Sequence, residues 1–263
     1  EMAMDDLLQG KIEALVTAPI NKQNIQREGF SFLGHTEYLA QKAGVSDSLM
    51  LMVGQDFRIG VATGHIPLNE VADQLSVDLI LLKIRLMNQS LRRDFGIRKP
   101  RIAVLGLNPH AGDMGVIGKQ EQELLIPAVQ RAFDEGIHAF GPYPADGFFG
   151  SSGFRDFDGI LAMYHDQGLI PFKLLSFKSG VNFTVGLPFV RTSPAHGTAY
   201  DIAGKNQASP EAFREALYLA VDVVRNRQLY DEITENPLGF SVLKDDSDSD
   251  RNDLKDLPED NQS

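Results

Sequence analysis

The chain of 263 residues has no cysteine. Disulfides and thiolate metal sites are therefore excluded, and any metal would be held by imidazole, carboxylate or carbonyl groups. No apolar run approaches the roughly 18 residues needed to cross a bilayer. The first residues, Glu1-Met2-Ala3-Met4-Asp5-Asp6, are acidic where a secretory leader is basic. The expected setting is the cytoplasm, with no membrane partner. A basic surplus is lacking too: the formal net charge is -11, which excludes nucleic-acid binding through a broad positive field. No Gly-x-Gly-x-x-Gly follows a strand, so a Rossmann dinucleotide site is not indicated. There is no internal repeat.

What is present is an ordinary globular composition, 43% hydrophobic and 23% charged, long enough to bury a real core. The last nineteen residues, 245–263, hold eight acidic and two basic side chains. They carry more than half of the charge excess and have little to bury, so 241–263 is expected to be a disordered acidic tail. In the body, short apolar runs at 12–17, 49–53, 59–62, 101–107, 159–164 and 181–185 read as buried strands. Helical spacing covers 36–43, 71–93 and 120–135, a helix from about Pro171, and a long helix from Ser209-Pro210-Glu211 to about Glu232. Strands alternating with helices in this way predict an α/β protein whose sheet is covered on both faces.

Three of these strands end on histidine, in Gly60-Val-Ala-Thr-Gly-His65, Val104-Leu-Gly-Leu-Asn-Pro-His110 and Ile160-Leu-Ala-Met-Tyr-His165. In open α/β sheets ligands bind beyond the carboxyl ends of strands. If these strands are neighbours, His65, His110 and His165 converge at one sheet edge. Three neutral imidazoles suit zinc or another divalent ion, magnesium and cobalt included, and leave a position open for a substrate oxygen. The plain alternative for each histidine taken singly is a hydrogen-bonding turn residue. His138, in Gly136-Ile-His-Ala, has no such setting and reads as an ordinary surface or edge residue.

Anion handles lie near the same strand ends. Lys173, Asn182 and Arg191 stand beside them, with Arg191 inside Gly186-Leu-Pro-Phe-Val-Arg-Thr-Ser-Pro, read as a shaped loop. His35 and Thr36 start a helix, where free backbone N–H groups favour an anion. Together they suit a small substrate with phosphate at one end and carboxylate at the other. For an isolated Lys or Arg, solvated surface charge is the competing reading. Asp166, next to His165, can orient an imidazole or help move a proton.

These residues sit in stretches that resemble one family. Val16-Thr-Ala-Pro-Ile-Asn-Lys22, Gly34-His-Thr-Glu37, His65-Ile-Pro-Leu68, Leu107-Asn-Pro-His-Ala-Gly112 and Gly141-Pro-Tyr-Pro-Ala-Asp146 are five of them. Met163-Tyr-His-Asp-Gln-Gly168, Gly180-Val-Asn-Phe-Thr184 and Gly186-Leu-Pro-Phe-Val-Arg-Thr-Ser193 complete the set. In this order, over about residues 12–230, they resemble the PdxA family of 4-hydroxythreonine-4-phosphate dehydrogenases of pyridoxal phosphate (vitamin B6) biosynthesis.

The resemblance implies a two-domain α/β/α fold like the isocitrate and isopropylmalate dehydrogenases. Residues 1–33 with 186–240 would form the cofactor-side domain, and 34–185 the domain for metal, substrate and dimerisation. It implies a homodimer with a shared active site, NAD or NADP as cofactor, and no assigned cofactor residues. Carried over by position, His65, His110 and His165 become metal ligands, and His35, Thr36, Lys173, Asn182 and Arg191 substrate contacts. Lys173 and Asp166 become the catalytic side chains. The implied reaction oxidises 4-phosphooxy-L-threonine to 2-amino-3-oxo-4-phosphooxybutanoate, which decarboxylates to 3-amino-2-oxopropyl phosphate.

The departures are specific. The family's opening segment, with a Gly-Glu-Pro-x-Gly-Ile-Gly-like loop, has no counterpart, so the expected fold lacks its amino-terminal portion and is incomplete on the cofactor side. Asp113 stands where glutamate is expected, and Gly64 where threonine is. Three alternatives follow: a dehydrogenase of a four-carbon sugar acid phosphate such as threonate or erythronate 4-phosphate, a shortened, inactive homologue, and, less favoured for want of an obvious carboxylate base, a three-histidine zinc hydrolase.

Overall fold

The structure, a computed structural model, describes residues 1–21, 24–25, 32, 34–55 and 57–237. The expected acidic tail, 241–263, and Lys22 of the first matching stretch lie outside the described residues. Among the described residues eight strands form one sheet: β1 (Ala14–Val16), β2 (Leu49–Val53), β3 (Arg58–Val61), β4 (Arg101–Leu105), β5 (His138–Tyr143), β6 (Gly159–Ala162), β7 (Val181–Val185) and β8 (Val190–Pro194). Their order across the sheet is β1-β8-β7-β2-β3-β6-β4-β5. Strands β3, β6, β4 and β5 are mutually parallel. β2 runs against both β3 and β7, and β8 runs against β7 but parallel to β1. The carboxyl ends of β3, β6 and β4 therefore share one edge of the sheet, as the strand-end histidines require. The expected domain boundary at 185/186 falls in the turn between β7 and β8. These two strands are hydrogen-bonded neighbours, so one sheet runs through both expected parts.

The helices described are α1 (Met2–Leu8), α2 (His35–Lys42), α3 (Val71–Gln74), α4 (Val77–Arg93), α5 (Ile126–Asp134), α6 (Ala145–Gly150), α7 (His165–Ser176) and α8 (Glu211–Glu235). One sheet face packs Leu51, Phe183, Val104 and Leu161 against Ile80, Ile84 and Met87 of α4, Ala128 and Ala132 of α5, and Ala216, Ala220 and Val223 of α8. The small residues on α5 and α8 bring their backbones close to the strands. The other face packs Ile59, Val61, Ala103, Leu105 and Ile160 against Phe148 of α6, Phe154, and Leu169 and Phe172 of α7. Helix α7 can seat there because Gly168 has no side chain. A Cβ on it would stand 2.8 Å from Ile59 Cγ2.

Several elements depart from the sequence expectation. Helix α7 begins at His165, not near Pro171, and takes proline as an interior residue. The region around Arg191 is strand β8, buried at all five positions, where a shaped loop was expected. Strand β5 and helix α1 were not foreseen. His138 is exposed at the start of β5, an edge position in line with expectation.

Candidate active site

Among the described residues, the second sheet face is incompletely covered. Helix α7 lies over β3 and β6, and beside it β2, β7 and β8 form the floor of a cavity of about 380 Å³. Sheet register decides which side chains face it. Met50 pairs with Thr184 and Met52 with Asn182, while Asn182 pairs with Ser193. These residues share a face with Arg191, two positions before Ser193. The walls are the start of α2, with Gly34, His35 and Thr36, and one stripe of α7, with His165, Leu169 and Lys173. That stripe is a four-residue spacing on a helix. It exists only because the helix starts at His165.

Of the eight expected metal and substrate residues, seven line this cavity: His35, Thr36, His65, His165, Lys173, Asn182 and Arg191. The eighth, His110, is exposed beyond β4 and does not line it. The seven meet on a sheet face and along a helix, with the carboxyl edge at one side.

Arg191 is the least ordinary member. It is 4% exposed. Its guanidinium donates to Thr184 Oγ1 at 3.2 Å and to Thr17 Oγ1 at 2.9 Å, and its Nε has no partner. Burial pulls its pKa down to about 10, partly offset by the field of Glu37, so it remains a cation at neutral pH. A buried charge held by two neutral hydroxyls is costly, and an anion in the cavity would relieve that cost. Asn182 Oδ1, also buried and without a partner, adds a second unsatisfied polar atom. Burial, and then the Arg191 charge, lower the pKa of His35. Thr17 and Thr184, which hold the guanidinium, were not singled out from sequence. Thr184 lies within the matching stretch 180–184, but nothing in that stretch distinguishes it from a buried strand residue.

The imidazoles of His65 and His165 lie with ring centroids 5.4 Å apart. Two ring nitrogens about 2.0–2.1 Å from one tetrahedral ion place their ring centres roughly 5 Å apart, so this pair can share a divalent ion. Asp166 Oδ1 is 2.7 Å from His165 Nδ1. A carboxylate accepting at Nδ1 favours the tautomer that leaves Nε2 available to a metal ion. Among the described residues of one chain, no three of His, Asp and Glu are gathered as a metal-binding group. The described residues of one chain thus supply a pair of imidazoles whose chemistry fits such an ion. A second cavity of about 320 Å³ adjoins this pair, lined by Gly64, Ile66, Leu68, Val71, Tyr164 and Asp166.

The family model of the pyridoxal phosphate biosynthetic protein PdxA matches residues 1–220. A relative from Bacteroides thetaiotaomicron named 4-hydroxythreonine-4-phosphate dehydrogenase is 52% identical, over 99% of this chain and 72% of its own. The crystal structure of a 4-hydroxythreonine-4-phosphate dehydrogenase from Klebsiella pneumoniae superposes with TM-score 0.76 at 40% identity, over 85% of this chain and 67% of that one. An isocitrate dehydrogenase from Methylococcus capsulatus shares the fold alone, with TM-score 0.55 at 14% identity, over 89% of this chain and 74% of that one.

Proposed function

The chain belongs to the PdxA family, an oxidoreductase family, and from that premise we propose that it oxidises 4-phosphooxy-L-threonine with NAD or NADP. The alcohol carbon loses hydride to the nicotinamide and its hydroxyl loses a proton, giving 2-amino-3-oxo-4-phosphooxybutanoate. That β-keto acid releases carbon dioxide to leave 3-amino-2-oxopropyl phosphate. The observation that carries this reading is Arg191, a buried cation without a carboxylate contact in the wall of a cavity sized for a small doubly anionic molecule.

In this reading Arg191, Asn182, Lys173, His35 and Thr36 hold the anionic groups. Asn182 and Thr36 supply hydrogen bonds, and the two cations supply charge. The neutral form of His35, favoured by its lowered pKa, can donate or accept at the anion without adding a third charge. His65 and His165, with His110, would hold a divalent ion, zinc or a similar metal. The set would be completed where a second copy of the chain docks. When bound, such an ion supplies a Lewis acid that makes a hydroxyl easier to deprotonate. Asp166 keeps the His165 ring oriented, and Lys173 stabilises negative charge on the substrate oxygen. The adjoining cavity, apolar on Ile66, Leu68 and Val71, has the character needed for a flat nicotinamide ring. A homodimer is supported by Ile170, Leu174 and Leu175 on the helix that carries His165 and Lys173, and by Phe177 just past its end, all apolar and exposed.

The experiment is direct. Purified chain is given 4-phosphooxy-L-threonine, threonate 4-phosphate or erythronate 4-phosphate with NAD or NADP, and absorbance of the reduced nicotinamide is followed. Turnover of the amino acid ester supports the proposal. Turnover of the sugar acid esters alone overturns its substrate, and no turnover of any overturns the activity.

A further inference from the structure

The carboxyl ends of β3, β6 and β4 carry His65, His165 and His110, and they are tied together by side chains that line neither cavity. Thr63 Oγ1 donates to Met163 O at 2.7 Å, joining the end of β3 to that of β6. Met163 N donates to Gln167 Oε1 at 2.7 Å, and Gln167 Nε2 donates to Gly106 O at 2.6 Å, which carries the tie on to β4. Beyond Gly106, Leu107 N and Asn108 N donate to Glu121 Oε1 at 2.8 and 2.7 Å, and Asn108 Nδ2 to Glu121 Oε2 at 2.9 Å.

Glu121 is 2% exposed and gives its carboxylate to backbone and side-chain N–H groups of the loop that bears His110. That loop is strained. Residues 110–114 all lie in the left-handed region, with φ of 54°, 51°, 79°, 42° and 56°. Each of the four that carry a side chain costs on the order of 1 kcal/mol there. Such a backbone persists only where its surroundings over-determine it. A Cβ on Gly112 would stand 2.5 Å from Glu121 Oε2, so the loop closes directly onto this carboxylate. Every tie falls close to a histidine: Thr63 precedes His65, Gln167 follows His165, and Asn108 precedes His110. A brace serving only the sheet would have no reason to sit at these three places.

We propose that Thr63, Gln167 and Glu121 are positioning residues that set the mutual placement of the three strand-end histidines. Glu121 acts by holding the left-handed loop of His110, and Gln167 by locking the turn of His165 to the end of β4. The inference rests on the divalent-ion reading above, and it assigns no contact between these three residues and substrate.

The test uses the full chain, with Gln167→Met, which keeps size and removes both hydrogen bonds, and Glu121→Gln, which turns one acceptor into a donor. Co²⁺ binding is read from its visible absorption, inorganic phosphate binding by calorimetry, and folding by thermal melt. The expected result is Co²⁺ affinity lower by about 10–100-fold, the usual cost of losing a group that orients a metal ligand. Phosphate affinity, which reports on the Arg191 cavity, stays unchanged. Should Glu121→Gln fail to melt cooperatively, Gln167→Met decides alone. Unchanged Co²⁺ affinity in a folded variant overturns the proposal, as does a parallel fall in phosphate affinity, which would reveal general damage. A native chain that binds no Co²⁺ at all overturns the divalent-ion reading itself and this proposal with it.

Discussion

Among the described residues two arginines are buried, and they are treated oppositely. Arg227, 7% exposed, donates from Nε to Asp94 Oδ1 at 2.6 Å and from its terminal nitrogen to Leu187 O at 3.3 Å. Asp94 in turn accepts from Ser90 Oγ at 2.6 Å, and its carbonyl accepts from Asn226 at 2.8 Å. Charge meets charge, and the network fastens the end of α4 to α8. Arg191, buried as deeply, meets only hydroxyls among the described residues and keeps an idle Nε. A buried guanidinium paired with a carboxylate does structural work. One left short of an anion keeps its charge for something the chain does not itself contain.

The largest effect should come from breaking the paired arginine. Asp94→Ala leaves Arg227 buried without its carboxylate, a loss of about 3–5 kcal/mol. At 2–4 °C per kcal/mol for a chain of this size, the melting temperature should fall by roughly 6–20 °C. An unaltered melt would mean that the two arginines do not differ as described. The converse substitution is Arg191→Met. Removing a charge with no ion-pair partner should leave the melting temperature unchanged or higher. Losing a charge-assisted contact to substrate should cost about 1.5–3 kcal/mol, a fall in kcat/KM of about 10–150-fold. A variant that melts lower and turns over normally would reverse the assignment. A third measurement sharpens the contrast without altering the chain. Inorganic phosphate at a hundred times its Kd should stabilise the native protein by about 2.7 kcal/mol. The same phosphate should do nothing for Arg191→Met, while Arg227 remains untouched in both.

The difference between these arginines was only half visible in the sequence. Strands β2, β4 and β6 were legible because they are nearly unbroken apolar runs, buried on both faces. Strand β8 was not, because Val190-Arg-Thr-Ser-Pro194 is polar yet wholly buried. Its Thr192 hydroxyl donates to Ala216 O on α8, and its guanidinium donates to the hydroxyls of Thr184 on β7 and Thr17 just past β1, and no local pattern announces that. Edge strand β5 was hidden by its glycine and proline and its mixed burial. Helix α7 was begun too late because Pro171 was taken as the first helical residue. In fact Gly168 lets that helix pack tightly enough onto β3 and β6 to start at His165. Seven of the residues named from sequence do gather at one cavity. Thr17 and Thr184, which hold Arg191, were missed because they meet it across neighbouring strands, a pairing that adjacent residues do not encode.

The smallest expected effect concerns His35, which reads the charge of Arg191 directly. Burial is the main cause of its lowered pKa and the Arg191 charge the second. Arg191→Met should therefore raise the His35 pKa only part of the way to the ordinary value near 6.5. The sign for stability follows from proton counting. As pH falls through about 6.5 the unfolded chain takes up this proton before the folded one does, so stability drops until the lower folded pKa is passed. The variant should lose less stability over that interval than the native chain. Bound phosphate acts in the opposite sense to Arg191, since a nearby anion favours protonated imidazole. Titration of the His35 ring proton by NMR should show an upward shift when phosphate saturates the native chain. The shift should be much smaller in Arg191→Met, where the anion has lost its buried cation. An equal shift in both would show that phosphate binds near His35 without Arg191, and that the idle guanidinium is not the anion's anchor.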